Sequence, residues 1–304
     1  MRVKITDGII NVYKEAGYTS HDVVARLRGI LKQKKIGHTG TLDPDAEGVL
    51  PVCLGKATKV CGMLSDATKE YRATFILGIE TDTQDMSGNI VNQCDVKVDD
   101  KEIRAVIAEF VGDIKQIPPM YSALKVNGKK LYEYARAGID IERKARNITI
   151  YSIDIVDISL PEITIDVVCS KGTYIRTLCH DIGKTAGCGA AMKSLLRTRV
   201  FKFDIHDSVK IDDVEKYAKS GTVEKIVMQV DCVFDNLPMA AALKDYSKPL
   251  YNGSPIKREW FKDDKDLYPR IRVYDHRNIF VGIYNWDNEK QCYKPEKIFY
   301  RNES

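Results

Sequence analysis

Several absences narrow the class of this chain at once. No stretch of 18 apolar residues occurs within its 304 residues, so no membrane span is expected. The opening MRVKITDGIINVYKEAG has no apolar run ending in a small-residue cleavage site, so no secretory leader is expected. None of the eight cysteines stands in a CxxC pair. Cys179 and His180 are adjacent, which is poor geometry for two ligands on one metal. The thiols sit in segments such as VCL and VVCS, where cysteine behaves as a small hydrophobe, and a reduced cytoplasmic protein without a metal site is expected. Net charge is only +4, which neither demands nor forbids a nucleic-acid partner. Tryptophan is scarce, and both copies, Trp260 and Trp286, fall in the last quarter of the chain.

What is present suits a soluble protein with a core. Hydrophobic residues make up 44% and charged residues 30%. The length suggests one large domain and a smaller one. GIINVYK (8–14) reads as a strand, and Ser20 as the N-cap of a helix with Val23, Val24, Leu27, Ile30 and Leu31 at helical spacing. The other face of that helix carries Arg26, Arg28, Lys32, Lys34 and Lys35, which on spacing alone is an ordinary solvated face. A strand is expected over 71–78, polar turn material over 81–88 and a helix over 99–112 with Gly112 as its stop. Alternating strands are expected at 148–158 and 162–170, a helix over 174–186 and a strand over 198–205. Helix and strand signals mix without regular βαβ spacing, so α+β is expected rather than a doubly wound sheet. After about residue 235 the texture shifts to short strand-like runs rich in aromatics (RIRVYD, IFVGIYNW), as in a small β-rich appendage.

The densest motif is IGHTGTLDPDAEG (36–48), a tightly turned loop that brings backbone close to something. Taken alone, Asp43 there serves equally to satisfy turn amides, and His38 to bond its own loop. Gly183-Lys184-Thr185 ends like a phosphate-binding loop, but Leu178 stands where that loop requires glycine.

IGHTGTLDPDAEGVLPVCLGKATK (36–59) closely resembles the catalytic motif of bacterial TruB-type tRNA pseudouridine synthases. YRATFILGIETDTQDMSG (71–88), PPMYSALKVNGKKLYEYARAG (118–138), CSKGTYIRTLCHDIG (169–183) and CGAAMKSLLRTRV (188–200) resemble the later blocks of that family, in the family's order. The resemblance covers roughly 8–205, and the tail is more loosely similar to the PUA-like RNA-binding domain of such enzymes. One departure stands out: Glu15 occupies the place of a proline in the family's Lys-Pro-x-Gly-x-Thr-Ser.

The resemblance implies an α+β catalytic domain over 1–235, with a mixed, largely antiparallel sheet flanked by helices, and a PUA-like domain over 236–304. It implies isomerisation of the uridine at position 55, in the T loop of tRNA, to pseudouridine, after the nucleotide is flipped into a pocket. It makes Asp43 the catalytic carboxylate, ionised and paired with Arg176. Tyr71 would stack on the target base, Tyr174 and Leu195 line its pocket, and His38 contact RNA beside it. Read singly, Tyr174 and Leu195 are equally core residues and Arg176 a helix-surface arginine. The segment 125–146, with Lys125, Lys129, Lys130, Arg136, Arg143, Lys144 and Arg146 among tyrosines, would follow the RNA backbone. No cofactor, metal, membrane, guide RNA or protein partner is implied, only tRNA through its T arm, with the enzyme a monomer. Two other readings are an RNA-binding protein without catalysis, disfavoured by the intact Asp43, Tyr71 and Arg176, and a guide-dependent enzyme of the same fold, disfavoured by the compact tail.

Overall fold

The computed structural model describes residues 6–262 and 268–300. The first five residues, on which the reading of the N-terminus partly rests, lie outside them. A ten-stranded mixed sheet organises most of the chain. From one edge it runs Val209–Lys210, Gly8–Lys14, Glu47–Leu54, Ala190–Val200, Lys69–Leu77, Glu162–Cys169, Arg146–Ser159 and Gly112–Gln116. Ile36–His38 adds to Glu47–Leu54, and Phe203–Asp204 to Ala190–Val200. Two neighbouring pairs are parallel, Gly8–Lys14 with Val209–Lys210 and Glu47–Leu54 with Ala190–Val200; the rest are antiparallel.

The second parallel pair is the seam of the sheet. It meets only at Leu196↔Glu47 and Arg197↔Gly48. A Cβ on Gly48 would lie 2.2 Å from the Arg197 carbonyl oxygen, and Gly48 has φ +104, so glycine is what lets the strands touch. Beyond that contact the chain leaves as the 39–46 loop.

Helices Ser20–Ile30 and Ile211–Lys219 bury Val23, Val24, Leu27, Ile211 and Val214 against Ile10, Val12, Leu50 and Val52. Helices Asp100–Ala108 and Ile175–Thr185 do the same on the other half, with Ile103, Ile107, Leu178 and Ile182 against Phe75, Ile163 and Ile165. Alternate burial along Lys69–Leu77 and Glu162–Cys169 is what one covered face requires. A separate four-stranded sheet, Met239–Ala241, Arg270–Tyr274, Phe280–Asp287 and Cys292–Ile298, has its own core of Leu250, Ile271, Val273, Val281 and Tyr284. Ile283, Phe299 and Phe280 of this region pack with Phe234, Val200 and Phe203, joining it to the main sheet.

Three expectations shift. The first helix is capped by Thr19, which exchanges capping-box hydrogen bonds with Asp22; Ser20 is its first helical residue, and its hydroxyl serves another purpose described below. The helix at 99 is capped by Asp99 but ends at Ala108, and Gly112 opens a strand instead of closing a helix. The strand expected at 198–205 begins eight residues earlier, at Ala190, and breaks between Val200 and Phe203. Two register shifts, at Met192/Ser194 and Arg197/Arg199, scramble its alternation, which hid it from a period-two reading.

Candidate active site

The 39–46 loop is pinned from three sides by groups that sequence spacing does not connect. The Ser20 hydroxyl accepts from the Leu42 amide at 2.9 Å and donates to the Leu42 carbonyl at 3.3 Å. The Lys14 ammonium, fully buried, donates to the carbonyls of Ala46 (2.5 Å), Pro44 (2.9 Å) and Glu15 (3.2 Å). Arg197, 1% exposed, donates to the carbonyls of Val49 (2.7 Å) and Gly40 (3.4 Å). Buried cations solvated by backbone oxygens fix the loop at a desolvation cost: burial drives the Lys14 pKa down to about 8, against which the nearby carboxylates of Glu47 and Asp43 pull.

Asp43 sits at the turn of this loop, with 43% of its side-chain surface open. Its partner Arg176 lies in the first turn of Ile175–Thr185 and is itself buried. Arg176 Nη2 is 3.0 Å from Asp43 Oδ2 and donates to the Tyr121 carbonyl at 2.8 Å. Nη1 donates to the Thr83 carbonyl at 3.0 Å and lies 3.4 Å from Asp85 Oδ2. The guanidinium fork therefore spans two carboxylates rather than gripping one. Burial raises the Asp43 pKa above the usual carboxylate range; Arg176 opposes this and Asp85 adds to it. The carboxylate touches solvent yet stands in a recess, so it is exposed on one side only.

Two joined cavities open around this pair, one of about 1050 Å³ and one of about 350 Å³. They share Thr41, Leu42, Asp43, Ser122, Ala123, Arg176 and Leu195. Tyr71, Tyr174, Lys69 and Arg197 line the smaller one. Tyr71, on Lys69–Leu77, stands opposite Arg197 in the sheet register; burial raises its hydroxyl's pKa and the adjacent guanidinium opposes this. Tyr174 precedes the Arg176 helix, and the buried Gln116 brackets its backbone, accepting from its amide at 2.8 Å and donating to its carbonyl at 3.0 Å. His38 lines the larger cavity alone, with Asp85, Lys130, Tyr132 and Arg136. Its Nδ1 accepts from the Gly40 amide at 3.3 Å, and burial lowers its pKa, so the bond within its own loop and a place in the cleft coexist. All six candidate residues thus line one cleft, five of them its smaller chamber.

The basic segment folds as a small hairpin, Lys125–Val126 with Lys129–Lys130, followed by the helix Leu131–Arg136. Lys130 and Arg136 lie 5.2 and 5.3 Å from the Tyr132 ring centroid and bring their cations to the larger cavity. Arg143 instead donates to the Pro118 carbonyl and approaches Asp140 at 3.8 Å. Glu15, in the place of the family's proline, lies 3.0 Å from Lys210 and ties the first strand to its parallel neighbour. The sequence does not mark Asp85, Lys14, Gln116 or Arg197 as site residues, and it marks Ser20 only as a helix cap. TDTQDMSG already held a carboxylate in a turn, but nothing there indicated that it faces Arg176.

Comparison with known proteins points to one family. The model of the TruB family pseudouridylate synthase N-terminal domain matches residues 28–175, and that of the tRNA pseudouridylate synthase B C-terminal domain matches 176–244. The tRNA pseudouridine synthase B of Lachnoclostridium phytofermentans is 50% identical, over 96% of this chain and 99% of that protein. Its counterpart in Alkaliphilus oremlandii is 43% identical, over 98% and 100%. Among solved structures, an H/ACA RNP bound to a substrate RNA containing 2′-deoxyuridine superposes with a TM-score of 0.72 at 25% identity, covering 98% of this chain and 87% of that one. The chain belongs to the TruB family of pseudouridylate synthases. Within it, the chain is an isomerase that converts uridine in tRNA to pseudouridine.

Proposed function

We propose that the target is the T-loop uridine at position 55, flipped into the smaller cavity, and that Asp43 is the group on which its rearrangement depends. The reaction breaks the bond from uracil N1 to C1′, turns the base, joins C5 to the same carbon, releases the C5 proton and leaves N1 carrying a proton in its place. No electrons are gained or lost, so a carboxylate acting as nucleophile or proton relay suffices. The observation that carries the reading is the Asp43–Arg176 contact of 3.0 Å at the junction of the two cavities, with Tyr71 in the smaller. Tyr71 supplies a stacking face for the extruded base, and Leu195 and Tyr174 close around it. His38, Lys130 and Arg136 meet the RNA that enters through the larger cavity, which makes binding weaken with salt.

Residues 1–235 form the catalytic domain in this reading, and 236–304 a PUA-like module that holds the rest of the T arm. The enzyme works in the cytoplasm as a monomer on tRNA alone, without a guide RNA, protein partner or cofactor. The test is tritium release from tRNA transcript labelled at uracil C5, with purified protein and nothing added. About one equivalent per tRNA is expected from the wild type, none over the same time from Asp43→Asn, and none from a transcript with cytidine at position 55. Release from that last transcript would move the target elsewhere, and binding without release by the wild type would leave an RNA-binding protein.

A further inference from the structure

The strand Ala190–Val200, which carries Leu195 and Arg197 to the cavity, ends in a two-residue hairpin: Val200 pairs with Phe203, leaving Phe201 and Lys202 as the loop. Phe201 has φ +55, whereas Lys202 is not among the residues with positive φ. Positive φ at the first loop position alone is the II′ hairpin arrangement, where glycine is the default. A bulky side chain held there is a backbone outlier. Phe201 is 41% exposed and belongs to none of the core clusters, although its neighbours Val200 and Phe203 do.

Its position is beside the reaction cleft. The Phe201 amide donates to the Thr68 carbonyl at 3.0 Å, and Val200 pairs with Lys69. Lys69, next to Thr68, and Ser65, three residues before it, line the smaller cavity with Tyr71. Phe201 lies four residues past Arg197, which is ~13 Å along the strand, a span of one or two nucleotides. The nearby cations are already paired, Lys171 with Asp66 at 3.0 Å, Arg199 with Glu70 at 2.6 Å, and Lys202 with Asp235. What the hairpin offers to a ligand is therefore an aromatic face rather than charge.

We infer that Phe201 is an RNA-contacting residue: a stacking platform for a base of the tRNA next to the flipped uridine, held out by a strained hairpin. The inference rests on the proposed reading of the smaller cavity as the uridine site. A stacked base is sequence-tolerant and contributes without phosphate contacts.

The experiment compares wild type, Phe201→Gly and Phe201→Trp in tRNA dissociation constant, its salt slope, kcat at saturating tRNA, and thermal midpoint. Phe201→Gly is expected to melt no lower than wild type, because glycine fits the turn, and to bind tRNA about tenfold more weakly. Its salt slope and kcat stay those of the wild type, and Phe201→Trp restores binding. Wild-type affinity in Phe201→Gly overturns the inference, as does a changed salt slope or a lowered midpoint that tracks the affinity loss. If wild type itself releases no tritium, the reading of the cavity fails, which is distinct from failure of the Phe201 contact.

Discussion

Two aspartates, one in the 39–46 loop of the large sheet and one in a turn of the small sheet, are treated in opposite ways. Asp275, in the turn between the strands Arg270–Tyr274 and Phe280–Asp287, is fully buried and surrounded by donors. It accepts from the Tyr251 hydroxyl (2.6 Å), the amides of Arg277 (2.8 Å) and Ile279 (2.9 Å), and Arg277 Nε (3.0 Å). Burial alone would raise its pKa, but Tyr251, Ile279 and Arg277 outweigh it and hold the carboxyl below its ordinary range. Asp43 has one cation at 3.0 Å, which it shares with a second carboxylate, and its pKa is raised. A carboxylate whose lone pairs are spent on the fold is structural. One left short of partners in a cavity retains reactivity, and the fold bears the cost.

The linkage signs differ accordingly. Asp275, with its folded pKa depressed, contributes stability that is full above the unfolded value of ~3.9 and is lost as pH falls through the folded value. Asp43, with its folded pKa raised, costs stability once ionised, and that cost grows as pH rises from ~3.9 through the raised value. The largest expected effects follow from exchanging the two residues for asparagine. Asp43→Asn is expected to lower tritium release by on the order of 10²–10⁴-fold or more while melting no lower than wild type at neutral pH. Asp275→Asn is expected to lose about 2 kcal/mol, a midpoint drop of roughly 4–8 °C, with kcat per folded molecule kept. Calorimetry and single-turnover assays on both variants check this; a destabilised Asp43→Asn protein, or an inactive but stable Asp275→Asn protein, breaks the contrast.

The next effect sharpens the Asp43 side. Arg176→Lys keeps the charge but not the fork that reaches both carboxylates and the carbonyls of Thr83 and Tyr121. A fall in kcat of about 10²-fold is expected. Asp85→Asn removes the charge that helps raise the Asp43 pKa, so the acid limb of the pH–rate profile moves to lower pH. An acid limb that stays put, or moves upward, excludes Asp43 as the group that must be ionised.

Legibility follows the same division. Asp43, Tyr71, Tyr174, Arg176, Leu195 and His38 were readable because ordered blocks of sequence carry them, and all six line the cleft. The residues that hold the cleft in shape were not. Lys14 reaches loop carbonyls 30 and 32 residues away, and Arg197 reaches one 148 residues away. Hydrogen bonds to backbone oxygens leave no partner residue in the sequence to recognise. In the long strand Ala190–Val200 the register shifts break the period-two alternation, so only its end is legible as a strand in the sequence. Ser20 was read as a cap because Ser and Thr at a helix start are interchangeable by composition; the capping box decided for Thr19 and freed Ser20 for the loop.

Lys14 brings the comparison to a cation. Its pKa of about 8 lies below the unfolded value of ~10.4, so the unfolded chain binds more protons between the two. Its contribution to stability therefore rises as pH climbs from about 8 to ~10.4, while the clamp on Pro44 and Ala46 loses its charge over the same range. Lys14→Met is expected to lower kcat about tenfold at pH 7, since a displaced loop misplaces Asp43. It should also lose any alkaline limb near pH 8 that the wild type shows. A wild-type limb preserved in Lys14→Met assigns that titration to another group, with Lys69, also driven down to about 8 by burial, the next to replace.

The smallest expected effect comes from Ser20→Ala, which removes both hydrogen bonds to Leu42 and nothing else from the loop. A buried pair of neutral hydrogen bonds contributes about 1 kcal/mol, and the orphaned Leu42 amide adds to the loss. If that loss falls on the loop alone, kcat declines by about fivefold while tRNA affinity and the melting of the rest of the sheet stay unchanged, because Lys14 and Arg197 still hold the loop's other two sides. Combining Ser20→Ala with Lys14→Met tests whether the pins act together. Multiplying losses mean two independent restraints, whereas a double variant no worse than Lys14→Met alone means the loop is released by the first pin removed. Amide exchange at Leu42 and Ala46 separates these outcomes from global destabilisation, since only the loop's protection should fall.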